Sequence, residues 1–237
     1  RELAEQAFGD WRGQPAPAPR TAAAQPLPEP LVVVDKPGST QTAVYMAQTS
    51  VRRADPGFET LDVFSQVLGG SSGRLFMNLR EDKGWTYGAY SQLNWRREPA
   101  PLLLYARVQA DASAGAIIEY RKELESLLTR EAAAEELERA KVALVRTLPA
   151  SFTTTGQLVG TVQGLYTYDQ PQDYFRGYAK RVMALTAADV LAQGRRHLDL
   201  QKFRTVLVGD SGKILPLLAE KNLGPVARFS LDGERIE

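Results

Sequence analysis

The sequence has 237 residues, of which 43% are hydrophobic and 24% are charged, so a disordered chain is excluded. The 29 basic and 28 acidic residues give a net charge of +1, which offers no sign of a nucleic-acid-binding surface. The lack of cysteine excludes disulfides, thiol catalysis and cysteine-bound metal. No apolar run reaches the ~20 residues that a membrane-spanning helix needs.

The first 30 residues have the pattern of a helix end followed by a linker. Residues 1–13 are predicted to be the tail of a preceding domain, with a helix that stops near Gly9. Residues 14–30 contain six of the 14 prolines, and each proline restricts its own backbone and that of the residue before it. This predicts a semi-rigid linker over 14–30 and a second domain over 31–237.

The next elements are two strands, a long helix, a short helix and two more strands. Strands are predicted at 31–35 and 40–48, and the turn between them favours a hairpin. A helix over about 58–69 comes next. Ser71 or Ser72 can cap the short helix that follows it, which is expected to end at Gly84. Further strands are expected at 86–94 and 102–110.

The second half of the domain is mainly helical until its end. Helices are predicted over 113–198, followed by a strand at 203–208 and a helix around 214–220. Strands therefore come early and late, with helices between them. This order predicts an α+β fold in which helices pack on one face of a mostly antiparallel sheet.

The candidates for zinc and phosphate binding are weak. His197 is the only histidine, whereas a zinc peptidase site needs at least two, and neither H-E-x-x-H nor H-x-x-E-H occurs. We therefore predict that this chain binds no metal and that His197 lies on the surface near a helix end. Residues 209–213 follow a strand like a phosphate loop, but only two residues separate their glycines instead of four. A capped turn is predicted there.

The strongest pattern is a glycine-rich loop at 68–73, a short helix, a glycine stop and a strand. Arg80 lies near the end of this helix and Tyr87 near the start of the strand, so both can project from one end of the layer. Arginine offers a charged fork of donors, and tyrosine offers a neutral hydroxyl. Together they can hold substrate carbonyl oxygens or an oxyanion. Alternatively, Arg80 pairs with a nearby carboxylate and Tyr87 is a half-buried strand residue.

These residues resemble the non-zinc half of the pitrilysin/insulinase (inverzincin) metallopeptidase family, which includes mitochondrial processing peptidases. The matching elements are Leu68-Gly69-Gly70, Arg74-Leu75 and Leu79-Arg80-Glu81…Gly84…Tyr87, with the family's spacing of seven from arginine to tyrosine. Weaker matches occur at 8–11, 54–56, 136–141 and 208–210. The resemblance covers roughly residues 31–225.

The resemblance implies a substrate-binding half of a zinc metallopeptidase that does not cleave peptides alone. Zinc is expected on a homologous partner domain or subunit. Arg80 would hold the substrate backbone, and Tyr87 would donate to the oxyanion across the interface. Gly69, Gly70 and Ser71 would let the backbone of a peptide or unfolded protein substrate approach closely.

The resemblance also bears on location and on other possible functions. Bacterial relatives are often exported, which favours the periplasm or cell envelope over the cytoplasm. Two other functions stay open: a non-catalytic scaffold or assembly subunit with the same fold, and a free-standing peptide-binding module.

Overall fold

The structure is a computed structural model that describes residues 2–13 and 27–236. A short exposed helix, α1 (Glu2–Phe8), ends beside Gly9 as predicted. Most of the predicted linker, residues 14–26, lies outside the described residues.

Seven strands form one sheet within the described residues, in the order β3-β4-β2-β5-β1-β6-β7. Their bounds are β1 Leu31–Asp35, β2 Gln41–Thr49, β3 Thr86–Leu93, β4 Pro101–Gln109, β5 Arg204–Gly209, β6 Val226–Phe229 and β7 Arg235–Ile236. The first five strands lie close to their predicted positions, whereas the two C-terminal strands were not predicted.

The remaining helices lie between or after the strands. Their bounds are α2 Phe58–Gly69, α3 Arg74–Phe76, α4 Ser113–Thr129, α5 Ala134–Thr147, α6 Thr155–Thr167, α7 Tyr178–Ala184, α8 Ala187–His197 and α9 Ser211–Glu220. Short 3₁₀ helices occupy Ala110–Ala112, Leu148–Phe152 and Tyr174–Arg176. Helix α3 continues directly into a π-helix over Met77–Asp82.

The α+β class is confirmed, but the sheet is mixed rather than mostly antiparallel. Strand β1 pairs in parallel with both β5 and β6, while the other neighbouring pairs are antiparallel. The predicted β1–β2 hairpin is also wrong, because β5 lies between these two strands. A local turn signal cannot report a partner strand that arrives about 160 residues later in the chain.

Helices cover one face of the sheet, as predicted. Alternate residues of β2 and β4, such as Val44 and Leu104, are fully buried against this helical layer. On the opposite face Tyr90, Tyr105 and Tyr45 stand side by side, with neighbouring ring centroids 5.2 and 6.4 Å apart. Strand β3, which begins just before Tyr87, lies at the edge of the sheet beside this tyrosine row.

Candidate functional site

The helix that carries Arg80 begins at a glycine and not at a serine cap. Gly73 is the N-cap residue, and no side chain caps the helix. The prediction of a Ser71 or Ser72 cap is therefore wrong; both serines are exposed, and the Gly73 amide donates to the carbonyl of Gly70 at 2.9 Å. Leu75 and Leu79, four residues apart, are fully buried and anchor the segment to the core.

Arg74 attaches the start of this segment to two neighbouring helices. Its Nε and Nη2 atoms donate to the two carboxylate oxygens of Glu136 on α5 at 2.9 and 2.8 Å. Its Nη1 donates to the hydroxyl of Ser126 on α4 at 3.2 Å. The hydrogen bonds from Arg74 hold the pKa of Glu136 below its ordinary value, because they favour the ionised carboxylate. Arg74 is therefore a structural residue.

The segment ends in a wide turn that leads directly into β3. In the π-helix the Lys83 amide donates to the carbonyl of Asn78 at 3.2 Å, and the Trp85 amide donates to that of Leu79 at 2.9 Å. Gly84 has a φ of +65°, a left-handed conformation that glycine adopts at low cost. The predicted glycine stop is confirmed. The turn joins the end of the helix to the start of the edge strand.

Arg80 lies on the last turn with a largely free guanidinium group. Its side chain is 46% exposed, and its Nε is 3.5 Å from the Glu81 carboxylate, which is itself about half exposed. The guanidinium carbon also lies 4.8 Å from the centre of the Phe76 ring. An exposed ion pair at this distance contributes little to stability. The alternative prediction was that Arg80 pairs with a nearby carboxylate. Among the described residues, this loose contact with Glu81 is the ion pair that Arg80 forms.

Tyr87 projects from the edge strand into solvent. It is 87% exposed, so it is not the half-buried strand residue of the alternative interpretation. Its hydroxyl makes no hydrogen bond to any residue of 2–13 or 27–236. The β3–β4 pairing is irregular between Thr86 and Ala89, which marks a bulge at Tyr87 and Gly88. Bulges of this kind redirect side chains and are common beside active sites.

The glycine-rich loop has a clear packing function. A Cβ on Gly69 would lie 2.1 Å from the backbone nitrogen of Ser91, so α2 could not end this close to β3 with a larger residue. Nearby, the hydroxyls of Ser65 and Ser91 form a 2.8 Å hydrogen bond between the same two elements. Gly69 and Gly70 are buried and Ser71 is exposed. Of the three predicted substrate contacts, Ser71 therefore has the most accessible surface.

The weaker candidates occupy ordinary structural positions. His197 ends α8, is partly buried, and has a lowered pKa because of its burial and, secondarily, the charge of Arg196. The amides of Ser211 and Gly212 already donate to the carboxylates of Asp35 and Asp210, at 2.9 and 3.0 Å. The turn at 209–213 is thus a capped strand-to-helix turn, as predicted. Across the described parts of the chain, no group of three histidine, aspartate or glutamate residues could hold a metal ion.

Residue Lys141 has a role that sequence patterns did not indicate. Its buried ammonium donates to the carbonyls of Met183 and Leu185, at 3.1 and 3.2 Å. These carbonyls lie at the C-terminal end of α7, where a cation is favourable. Together with Glu136, which binds Arg74, this contact explains why the 136–141 segment matters to the fold.

The fold defines a class: an α+β domain with helices on one face of a mixed seven-stranded sheet, in which the described residues contain no group of three potential metal ligands. Residues 1–144 match the family model described as Peptidase M16 inactive domain. The match covers more than half of the chain, so the chain belongs to that family.

Solved structures with similar folds include three bacterial proteins. The peptidase M16 inactive domain from Pseudomonas fluorescens is 26% identical, with a TM-score of 0.69, over 81% of this chain and 47% of that one. A protease from Helicobacter pylori is 19% identical, with a TM-score of 0.73, over 87% and 51%. The periplasmic protease PqqL from Escherichia coli is 18% identical, with a TM-score of 0.66, over 88% and 24%. The last two likenesses show the fold alone.

The extent of these matches limits what they establish. The chain spans about half the length of the first two of these structures. A search of curated proteins finds no match. Among the described helices, none has both the length and the apolar character needed to cross a membrane.

Proposed function

We propose that this chain is the substrate-binding half of a zinc metallopeptidase and supplies Arg80 and Tyr87 to a zinc site on a partner domain or subunit. The observation that carries this proposal is that both side chains are exposed and have few polar partners. Both lie at the turn into the edge strand, and both are exposed. Arg80 has one loose ion pair, and the described residues offer the Tyr87 hydroxyl no hydrogen bond. Because both side chains are exposed, we expect neither to contribute much to the stability of the fold.

The chemistry of the pair suits peptide-bond hydrolysis. The described residues offer no set of zinc ligands, so the metal would belong to the partner, where it would supply an activated water. The Tyr87 hydroxyl would donate a hydrogen bond to the oxyanion that develops on the substrate carbonyl. Arg80 would donate to backbone carbonyls of the peptide and fix its position. Ser71, exposed on the preceding loop, would lie along the same substrate.

A periplasmic or cell-envelope location belongs to the same proposal. Its support is the similar fold of a periplasmic protease in Escherichia coli. Detection of the full-length protein in the periplasmic fraction of its native cell would support this location, and its detection in the cytoplasmic fraction alone would contradict it.

The test is cleavage of a fluorogenic peptide by the assembled enzyme. The chain alone, with zinc added, should be inactive, and addition of a homologous half that carries H-x-x-E-H should restore cleavage. Tyr87→Phe should lower kcat in the assembled enzyme by on the order of a hundredfold, the cost of losing an oxyanion donor. Tyr90→Phe is the matched control, because Tyr90 lies on the same strand and packs against Tyr105.

The other outcomes separate the rival functions. Cleavage by the chain alone would refute the proposal. A tight complex with no cleavage, or cleavage that is unchanged in both Arg80→Ala and Tyr87→Phe, would favour a scaffold subunit. Binding of extended peptides by the chain alone, with no gain from a zinc-bearing half, would favour a free-standing peptide-binding module.

A further inference from the structure

Helix α6 leaves a cavity between itself and the rest of the domain. Gly156, Gly160 and Gly164 are spaced four residues apart and so lie along one side of the helix. A Cβ on Gly160 would meet nothing within 4 Å, and one on Gly164 would meet only Trp95 and Tyr168, at 3.7 Å and beyond. The missing side chains contribute to a cavity of about 610 Å³, which Gly160 and Gly164 line.

The walls of this cavity are rich in aromatic rings. Trp95, Tyr168, Phe175 and Tyr178 all line it. Trp95 and Tyr168 meet edge to face, with ring centroids 5.8 Å apart. The faces of such rings carry partial negative charge and attract cations.

A carboxylate from α2 also faces this cavity. Asp62 lines it and keeps part of its surface accessible, yet within the described residues it makes no hydrogen bond or ion pair. Buried or partly buried carboxylates normally have such partners, because their desolvation is costly. Burial therefore raises the pKa of Asp62 to about 6.

The cation that most affects Asp62, Arg53, does not pair with it. Arg53 is almost fully buried, and its guanidinium carbon lies 4.0, 4.4 and 4.6 Å from the ring centres of Trp95, Phe58 and Tyr174. The positive charge of Arg53 lowers the pKa of Asp62, but burial of the carboxyl group raises this pKa by more. Arg53 lines a neighbouring pocket and does not line this cavity, so Asp62 keeps its capacity for a partner there.

We propose that this cavity binds an organic cation, an ammonium or guanidinium group on an apolar stem, which pairs with Asp62 and packs against the aromatic walls. The hydroxyls of Thr147 and Thr161, which also line the cavity, offer acceptors for further N–H groups. A free amine and the side chain of a lysine share this chemistry. The site is separate from the Arg80–Tyr87 pair and does not depend on the peptidase proposal.

Binding should depend on pH through Asp62. Its pKa of about 6 means that the carboxylate is ionised at pH 7.5 and largely protonated at pH 5. Among its charged neighbours, Arg53 lowers this pKa, whereas Glu59, which forms a 2.7 Å ion pair with Arg181, raises it. Tyr178 stays neutral throughout this range, since burial raises its pKa. Affinity for a cation should therefore fall as the pH drops below 6.

The test compares cations with neutral molecules of the same shape by NMR titration of the Trp95 indole N–H signal. Benzylamine should bind at least about tenfold more tightly than benzyl alcohol at pH 7.5, and this preference should disappear at pH 5. A second pair, Nα-acetyl-lysine amide and Nα-acetyl-norleucine amide, tests whether the cation is the side chain of a lysine in a peptide. Preference for the lysine compound alone would assign the site to a peptide side chain, and preference for benzylamine alone to a free amine.

Three variants decide whether the binding occurs in this cavity. Asp62→Asn should remove the preference for the cation, and Gly160→Leu should abolish binding by filling the space. Gly156→Leu is the control, because Gly156 lies on the same helix in open space but does not line the cavity. Circular dichroism and thermal melting serve as controls to check that each variant is folded. No preference for the cation in either pair, no binding of any of the four compounds, or full binding in Gly160→Leu would overturn the proposal.

Discussion

The two ends of the segment from Arg74 to Tyr87 differ in how their polar side chains are used. At the first end, Arg74 makes three hydrogen bonds to Glu136 and Ser126, and its side chain is only 14% exposed. At the other end, Arg80 is 46% exposed with one loose contact, and Tyr87 is 87% exposed. The two arginines lie six residues apart on one helical segment, yet only Arg74 holds the fold together.

The residues of this segment therefore fall into two groups: those that pack against the rest of the domain, and those whose side chains point into solvent. Leu75 and Leu79 are buried between the two ends, and Arg74 fixes the direction from which the helix enters the layer. The π-helix and Gly84 then turn the chain into the edge strand. Under the proposed function, substitutions at the two ends should affect different properties: stability at Arg74, and substrate turnover at Arg80 and Tyr87.

The largest expected effect is on activity at the exposed end. Under the proposed function, Arg80→Ala should lower kcat/KM of the assembled enzyme by on the order of a hundredfold, because the proposed charged hydrogen bond to the substrate is lost. The melting temperature of the chain should stay nearly unchanged, since the ion pair to Glu81 that is removed is exposed. Steady-state cleavage of a fluorogenic peptide and a thermal melt measure the two properties. A clear drop in melting temperature would show that Arg80 also supports the fold.

The next effect is on stability at the buried end. Arg74→Ala should lower the free energy of unfolding by about 2 kcal/mol, because Glu136 and Ser126 lose charged hydrogen bonds in a partly buried position. Urea denaturation measures this change, and Arg80→Ala is the matched control on the same helical segment. Equal stability of the two variants would contradict the division between the ends.

A smaller effect concerns the pH dependence of the Arg74–Glu136 pair. Because the folded-state pKa of Glu136 lies below its ordinary 4.5, the pair stabilises the fold above pH 4.5. That contribution is lost as the pH falls through the folded pKa and Glu136 becomes protonated. The stability difference between the unmodified chain and Glu136→Gln should therefore be largest near pH 7 and narrow below pH 4.5. A difference that is constant from pH 7 to pH 3 would contradict this account.

The smallest effect is expected at the loose partner of Arg80. Glu81→Gln should change the free energy of unfolding by less than about 0.5 kcal/mol, because the 3.5 Å ion pair is exposed on both sides. Urea denaturation at low and high salt measures it. A loss above 1 kcal/mol that disappears in high salt would show that Arg80 is held by Glu81 and not free to contact a substrate.

Local patterns in the sequence determined the positions of most elements and of the candidate pair. Local sequence patterns predicted strands near β2 and β4, and the glycines at 69, 70 and 84 predicted the ends of α2 and of the Arg80 segment. The spacing of Arg80 and Tyr87 across Gly84 placed both near one turn. These predictions succeeded because each depends on the conformational preferences of residues that are neighbours in the chain.

Tertiary structure alone decided the contacts between distant segments. Strand β5 separates β1 from β2, and the backbone of Ser91 requires a glycine at position 69. Glu136 on α5 binds Arg74, whereas no such partner reaches Arg80 within the described residues. The Asp62 cavity likewise exists only because residues of α2, α5, α6 and α7 come together around it. Each of these features depends on which surfaces meet after folding, and single-sequence periodicity carries no information about that pairing.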